Sequence, residues 1–281
     1  MPQTINTNLA SLNAQRNLNM SQSSLQTSMQ RLSSGMRVNS AKDDAAGLAI
    51  AERMNSQVRG MNVAIRNAND GISLSQTAEG ALSKVGDSLQ RMRELAVQAR
   101  NATNSSSDKD SLNKEFTQLQ AEIQRVLGGT TFNGKHILGS DATTLTFQIG
   151  ANTTTDDVID VATTNMATAS DITTVTSTTA VIDAAATTGA IAEVINNIDA
   201  AIDVVNNTRA TFGATQSRFD AIISNLQQSV ENQAAARSRI MDADYAQETA
   251  NMSRAQILQQ AGTAMVAQAN QLPQSVLKLL G

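Results

Sequence analysis

The sequence predicts a mainly α fold: a long antiparallel helical bundle or coiled coil, formed by pairing of the N- and C-terminal regions, with a small β-hairpin region at the middle of the chain. Three observations predict it. Apolar residues recur at helical spacing along 58–99 and 191–230. Aromatic residues make up only 2%, with no Trp, one Tyr and five Phe, so the core must come from many thin contacts between Ala, Leu, Ile, Val and Met. Such contacts suit helices packed along their length. The order of segments is also symmetric: a weak ladder, strong ladders, a Thr-rich stretch, a strong ladder and a weak one. That symmetry brings the two chain ends together.

Residues 1–39 are rich in Asn, Gln and Ser. Their apolar ladder is sparse: Ile5, Leu9 and Leu12, then Leu18, Leu25, Met29 and Leu32, with a phase slip between Leu12 and Leu18. So thin a stripe does not offset the cost of ordering a lone helix, and the segment is expected to be mobile until a neighbour covers it. Residues 43–100 read as one helix of roughly 85 Å. Ser40 is its expected cap, with Asp43 at the capping-box spacing. Its ladder runs Val58, Met61, Ile65, Ala68 and Ile72, then slips and resumes at Ala78, Leu82, Val85, Leu89, Met92, Ala96 and Ala99. A shorter helix is expected after Ser111, carrying Leu112, Phe116, Leu119, Ile123 and Val126 and ending at Gly128 and Gly129.

The composition then changes. Sixteen of the residues 141–190 are Thr, and between Lys135 and Arg209 there are nine acidic residues and no basic one. Alternation at Leu145, Phe147 and Ile149, and again near Val158–Val161, with Gly150–Asn152 between, predicts a β-hairpin. The rest of this stretch reads as a solvent-facing insert that tolerates deletion within 165–185. Helical spacing returns at Ile191, Ile195, Ile198, Ile202 and Val205 and continues through Phe212, Phe219, Ile223, Leu226 and Val230. The final ladder, Leu258, Ala261, Met265, Leu272, Val276 and Leu279, is thin again and holds Pro273. The expected organisation is an inner coiled coil of 1–42 with 241–281, an outer bundle of 43–142 with 190–240, and a Thr-rich insert at 143–189.

Composition also excludes function classes. A net charge of −4 and a pI of about 5.1 argue against nucleic-acid binding. No cysteine is present, which removes disulfides and thiolate chemistry. No apolar run is long enough for membrane insertion. The N-terminal stretch lacks the basic and apolar regions of a Sec-type signal, so an extracellular chain would leave by another route.

Several motifs look chemical and have simpler readings. GTTFNGK, residues 129–135, has the spacing of a phosphate loop, but His136 stands where Ser or Thr is needed and the loop follows a helix, so a Gly-rich turn is preferred. Asp43 and Asp44 are neighbours that diverge around a helix and favour its dipole. His136, the single histidine, has no catalytic companion. No nucleophile, base and cofactor constellation exists, so no enzyme and no cofactor are expected.

The segments INTNLASLNAQRNL, SMQRLSSGMRVNSAKDDAAGLAIAERM, QRMRELAVQARNATNSSSD, FNGKHIL and NMSRAQILQQAGTAMVAQANQLPQSVLKLLG resemble bacterial flagellins, in the right order, over roughly residues 3–140 and 190–281. The middle departs, being far shorter than in many flagellins. The resemblance implies an extracellular flagellar filament subunit that polymerises with itself as an open helical homopolymer. It implies export by the flagellar type III apparatus, and as partners a flagellar export chaperone, cap and junction proteins and a host Toll-like receptor. It makes Arg91, Leu95 and Glu115 receptor and lattice contacts; the planar donor fork of Arg91 also suits a carboxylate, with Glu115 a candidate partner across an interface. It makes Ile5, Leu9, Leu12, Leu25, Met29, Leu32, Leu258, Met265, Leu272, Val276, Leu279 and Leu280 filament-core packing, with the C-terminal end also sensed by a cytosolic inflammasome receptor. A hook–filament junction protein shares such terminal helices, and the SRAQILQQAGTAMVAQAN match favours the filament subunit. A chemoreceptor-type signalling bundle would have an uninterrupted hairpin and a membrane anchor instead.

Overall fold

The computed structural model describes residues 7–280, with side chains described through Gln271. Six helices carry the fold: α1 (Leu9–Ser34), α2 (Ala45–Ala99), α3 (Ser106–Gly129), α4 (Ser170–Thr176), α5 (Thr188–Met241) and α6 (Tyr245–Leu280). Two antiparallel hairpins lie between α3 and α4: β1 (Thr131–Phe132) with β2 (Lys135–His136), and β3 (Thr144–Gln148) with β4 (Val158–Ala162). The chain divides into two compact units, Gln57–Val230 and Met1–Ser56 with Glu231–Gly281.

In the unit Gln57–Val230, α2 has one unbroken seam. Met61, Ala64, Ala68, Gly71, Ser75 and Ala78 are buried and step alternately by three and four into Leu82, Val85, Leu89, Met92, Ala96 and Ala99. The phase slip expected after Ile72 is absent. Gly71 and Ser75 occupy the seam, while Ile65 and Ile72 sit on its half-buried flank. Small residues are required there because Phe219 of α5 comes so close that a Cβ on Gly71 would lie 2.6 Å from the ring. The buried Ser75 hydroxyl donates to the Gly71 carbonyl at 2.9 Å, so its polarity is satisfied within the helix. On the hairpin side Phe147 meets Phe219 edge to face, with ring centroids 5.6 Å apart.

Both helix starts differ from the expected ones, and capping geometry explains each. α3 begins at Ser106, not after Ser111, because Ser105 and Asp108 form a reciprocal capping box: the Ser105 Oγ accepts from the Asp108 N–H and Asp108 accepts from the Ser105 N–H at 2.9 Å. The Ser105 hydroxyl, then its N–H, hold the Asp108 carboxyl below its ordinary value. α2 begins at Ala45 with Asp44 as its cap, Oδ1 accepting from the Gly47 N–H at 2.8 Å. Ser40 and Asp43 instead close the turn before the helix, with the Ser40 hydroxyl donating to Asp43 at 3.0 Å.

The β3–β4 hairpin forms as expected, pairing Thr144–Gln148 with Val158–Ala162. The stretch after it does not behave as a solvent-facing insert. Ile172, Val175 and Ile182 are buried in the main core with Phe116 and Ile123 of α3. One face of α3 also binds this segment's backbone. The buried Gln120 amide donates to the carbonyls of Val175 at 2.8 Å and Ala180 at 2.9 Å, with a longer contact to Ser177. Asn113 and Asp110 accept from the N–H groups of Ile182 and Ala184. Thr enrichment concealed this, because many of these threonines turn their hydroxyls onto local carbonyls and leave the few apolar residues to point inward.

In the other unit, α1 ends at Gly35, whose φ of 70° gives the left-handed cap that glycine adopts without strain. A short backbone ladder ties that turn to the end of α5: Ala243 N–H donates to Gly35 at 2.9 Å and Arg37 N–H donates to Met241 at 2.6 Å. The Arg37 guanidinium donates to the Ile240 carbonyl at 2.8 Å, where cation and helix C-terminus attract. Val38, Ala51 and Met241 form a small core beneath.

Candidate functional site

α1 and α6 lie antiparallel, since Asn8 meets Ala269 while Arg31 meets Glu248. The residues each turns toward the other mix small or polar side chains with larger apolar ones. On α1 the inward positions are Ser11, Ala14, Leu18, Ser21, Leu25, Ser28 and Leu32, a strict three-four alternation. On α6 they are Glu248, Met252, Ala255, Gln259, Gly262, Val266 and Ala269, spaced in the same way. Ser11, Ser28, Ala255 and Ala269 are buried, and a Cβ on Gly262 would stand 3.1 Å from Leu18. Such small residues allow close approach, and hydrogen bonds set the pairing: Ser11 Oγ donates to Asn270 at 2.7 Å and Asn8 Nδ2 to the Ala269 carbonyl at 2.8 Å.

Other large apolar side chains of the same helices are left exposed. Leu9, Leu12 and Met20 on α1, and Ile257, Leu258 and Met265 on α6, are each 49–69% exposed, and Met29 is 47% exposed. Among the described residues, most of the exposed large apolar side chains are on these two helices, although isolated examples such as Val63 and Val97 occur elsewhere. Exposed apolar side chains concentrated on one helix pair offer an interaction face. The expected phase slip between Leu12 and Leu18 is thereby explained: Leu18, Leu25 and Leu32 belong to the inward seam, whereas Leu9 and Leu12 belong to the outward face. Leu258, Ala261 and Met265 are exposed, at steps of three and four. Ile5, and the side chains of Leu272, Val276, Leu279 and Leu280, lie outside the described residues.

The second cluster joins α2 to its neighbours. Arg91 donates from Nε to Glu115 of α3 at 2.8 Å and from Nη1 to Glu94 at 2.9 Å. Arg93 grips Asp199 of α5, with Nε–Oδ1 at 2.6 Å. All of these side chains remain about half exposed. The Glu115 hydrogen bond, followed by that from Glu94, raises the Arg91 pKa, so this guanidinium is permanently charged. Glu115 is thus a partner of Arg91 within the chain. Leu95 is fully buried in the core and presents no side chain beside Arg91 and Glu115. Val97, 51% exposed, is the apolar side chain that the sequence reading missed on this surface. Its position off the α2 seam was the available signal.

Among the described residues, no group of three or more His, Asp or Glu side chains is placed to hold a metal. No helix is long and apolar enough to cross a membrane. His136 lies in the β1–β2 hairpin, where its backbone N–H donates to Asp141 at 3.0 Å. That hairpin turns on Asn133 and Gly134, both at positive φ, so the phosphate-loop spacing belongs to a two-residue turn.

The chain matches the bacterial flagellin N-terminal helical region over residues 5–144 and the bacterial flagellin C-terminal helical region over residues 195–280. It is 46% identical to a flagellin of Halalkalibacterium halodurans, across 98% of this chain and 99% of that one. It is 47% identical to a flagellin of Xenorhabdus nematophila, with both chains covered completely. A crystal structure of Bacillus cereus flagellin is 31% identical, with 61% of this chain and 94% of that chain aligned at a TM-score of 0.49. With both terminal helical regions matched and the likeness running the length of the chain, the chain belongs to the flagellin family, the extracellular structural subunits that polymerise into the bacterial flagellar filament.

Proposed function

We propose that the outward apolar stripes of α1 and α6 are the surfaces through which copies of this chain pack on one another in the filament. The observation that carries this reading is the division of labour on the two helices. Their mutual seam sets Ser, Ala and Gly between a few Leu, Met and Val side chains, and leaves Leu9, Leu12, Ile257, Leu258 and Met265 exposed to water. Burying each such side chain is worth about 1.5–3 kcal/mol at full coverage. Head-to-tail contacts that do not close repeat this gain at every subunit and yield an open helix. The test is seeded growth of a Leu258→Gln, Met265→Gln chain. Its helical content should match the parent, while the critical concentration for growth rises at least tenfold. Parental growth from the folded variant would remove these stripes from the assembly contact.

Family membership supports the remaining roles. The chain leaves the cell through the flagellar type III apparatus, with an export chaperone covering α6 beforehand and with cap and junction proteins meeting it at the filament ends. Arg91 and Glu115 form the polar part of a surface that a host Toll-like receptor recognises. The chain acts by assembly, without catalysing a reaction.

A further inference from the structure

The outward face contains sulfur. Met20, Met29 and Met265 are 55%, 47% and 61% exposed, whereas Met92, Met166, Met241 and Met61 are buried at 0%, 1%, 5% and 6%. The chain has no cysteine, so thioethers are its softest nucleophiles toward oxygen donors. An exposed methionine on an assembly face is both reachable before assembly and required to be apolar during it.

We infer that Met20, Met29 and Met265 are an oxidation site through which a hydroperoxide withdraws the unassembled chain from polymerisation. The sulfur lone pair attacks one peroxide oxygen, the O–O bond breaks, and that oxygen stays on sulfur as a sulfoxide. The other oxygen leaves as water with hydrogen peroxide, or as an alcohol with an organic hydroperoxide. Sulfur loses two electrons and the peroxide gains them, so no further reactant is needed. The product is a polar S=O group where the stripe needs a thioether, and each sulfoxide that must be buried raises the critical concentration on the order of tenfold. Assembled subunits are protected because their neighbours cover the same sulfurs. This inference rests on the proposed packing of the outward stripes.

The test treats monomer and preformed filament with hydrogen peroxide and maps oxygen uptake by peptide mass spectrometry. In the monomer Met20, Met29 and Met265 should oxidise well ahead of Met92 and Met166. The oxidised monomer should lose seeded growth at concentrations where untreated chain elongates, and methionine sulfoxide reductases should restore it. In the filament the three sulfurs should stay reduced. A Met20→Leu, Met29→Leu, Met265→Leu chain keeps the volume and the apolar character, and should elongate equally before and after peroxide. If that variant elongates poorly even untreated, reductase rescue of the parent chain decides the matter alone. Undiminished growth of fully sulfoxidised monomer would overturn the oxidation site and leave the packing proposal standing. Equal oxidation of the three in monomer and filament would overturn the packing proposal, and this inference with it.

Discussion

Asn8 donates its side-chain amide to the carbonyl of Ala269 at 2.8 Å. Ala269 lies four residues before Pro273, which has no N–H to give to that carbonyl in a helix continuing to Leu280. An amide from α1 thus supplies the bond that α6 denies itself. The same Asn8 caps α1, its Oδ1 accepting from the Ser11 N–H at 3.1 Å. One side chain satisfies the start of one helix and the interrupted interior of the other.

Asn8→Ala should therefore weaken the α1–α6 pair by about 1–2 kcal/mol, losing a cap and a hydrogen bond together. The coupling is separable. Pro273→Ala restores an N–H to Ala269, so the Asn8 substitution should cost less in that background. Hydrogen exchange of the 265–271 amides across the four-chain cycle measures it. Identical costs in both backgrounds would show that Asn8 does nothing for the proline gap.

Gln120→Ala should destabilise the unit Gln57–Val230 by about 2–3 kcal/mol, since it leaves carbonyls of the 175–180 segment buried and unpaired. Deletion of residues 170–182 should be worse, because it removes Ile172, Val175 and Ile182 from the core. Thermal unfolding followed by circular dichroism reports both. An unchanged midpoint in the Gln120→Ala chain would make the clasp energetically idle.

Arg91→Ala and Leu95→Ala should part company. The Arg91 pairs are exposed to solvent, which screens them, so the folded unit survives their loss. Leu95 is fully buried, and its truncation should cost about 2–5 kcal/mol. Receptor reporter assays on folded monomer should show weakened signalling for Arg91→Ala. Full signalling from that variant would take Arg91 out of the recognised surface.

Acid should loosen the helix starts. The Ser40 hydroxyl lowers Asp43 and the Ser105 hydroxyl lowers Asp108, both from an ordinary value of 3.8. A carboxyl lowered on folding adds stability above its unfolded value, and that stability disappears as pH falls through the depressed folded value. Unfolding midpoints should fall below pH ~4. An Asp108→Asn chain should start less stable at neutral pH and fall less steeply with acid. Parallel pH profiles for the two chains would exclude a contribution from the Ser105–Asp108 box.

The strong helices and the β3–β4 hairpin were legible because their signals are apolar: Leu82, Leu89 and Met92 announce a period, and Leu145 to Ile149 an alternation. What escaped was structure made with small and polar residues. Gly71 and Ser75 carry the α2 seam past the apparent slip, and Ser11, Ala14, Ser21 and Ser28 carry the α1 seam, yet none registers on an apolar ladder. On α6, Leu258 and Met265 stood out on the ladder, whereas the seam with α1 runs through Ala255, Gln259, Gly262 and Val266. The Thr-rich stretch misled for a related reason: three or four buried aliphatics and one glutamine anchor it, and composition averages them away. The intrachain place of Glu115 depends on how α3 returns beside α2, which local spacing does not encode.

The seam between α1 and α6 sets small residues among Leu18, Leu25 and Leu32, which recur every seven positions. Its terminal contacts are not interchangeable: Asn8 with Ala269 and Ser11 with Asn270 at one end, Arg31 with Glu248 at the other. Alignment of the pair is consequently read at two distant marks, as a ruler is, with Leu18 against Gly262 as a third between them. Displacement by one heptad would part all of these contacts at once.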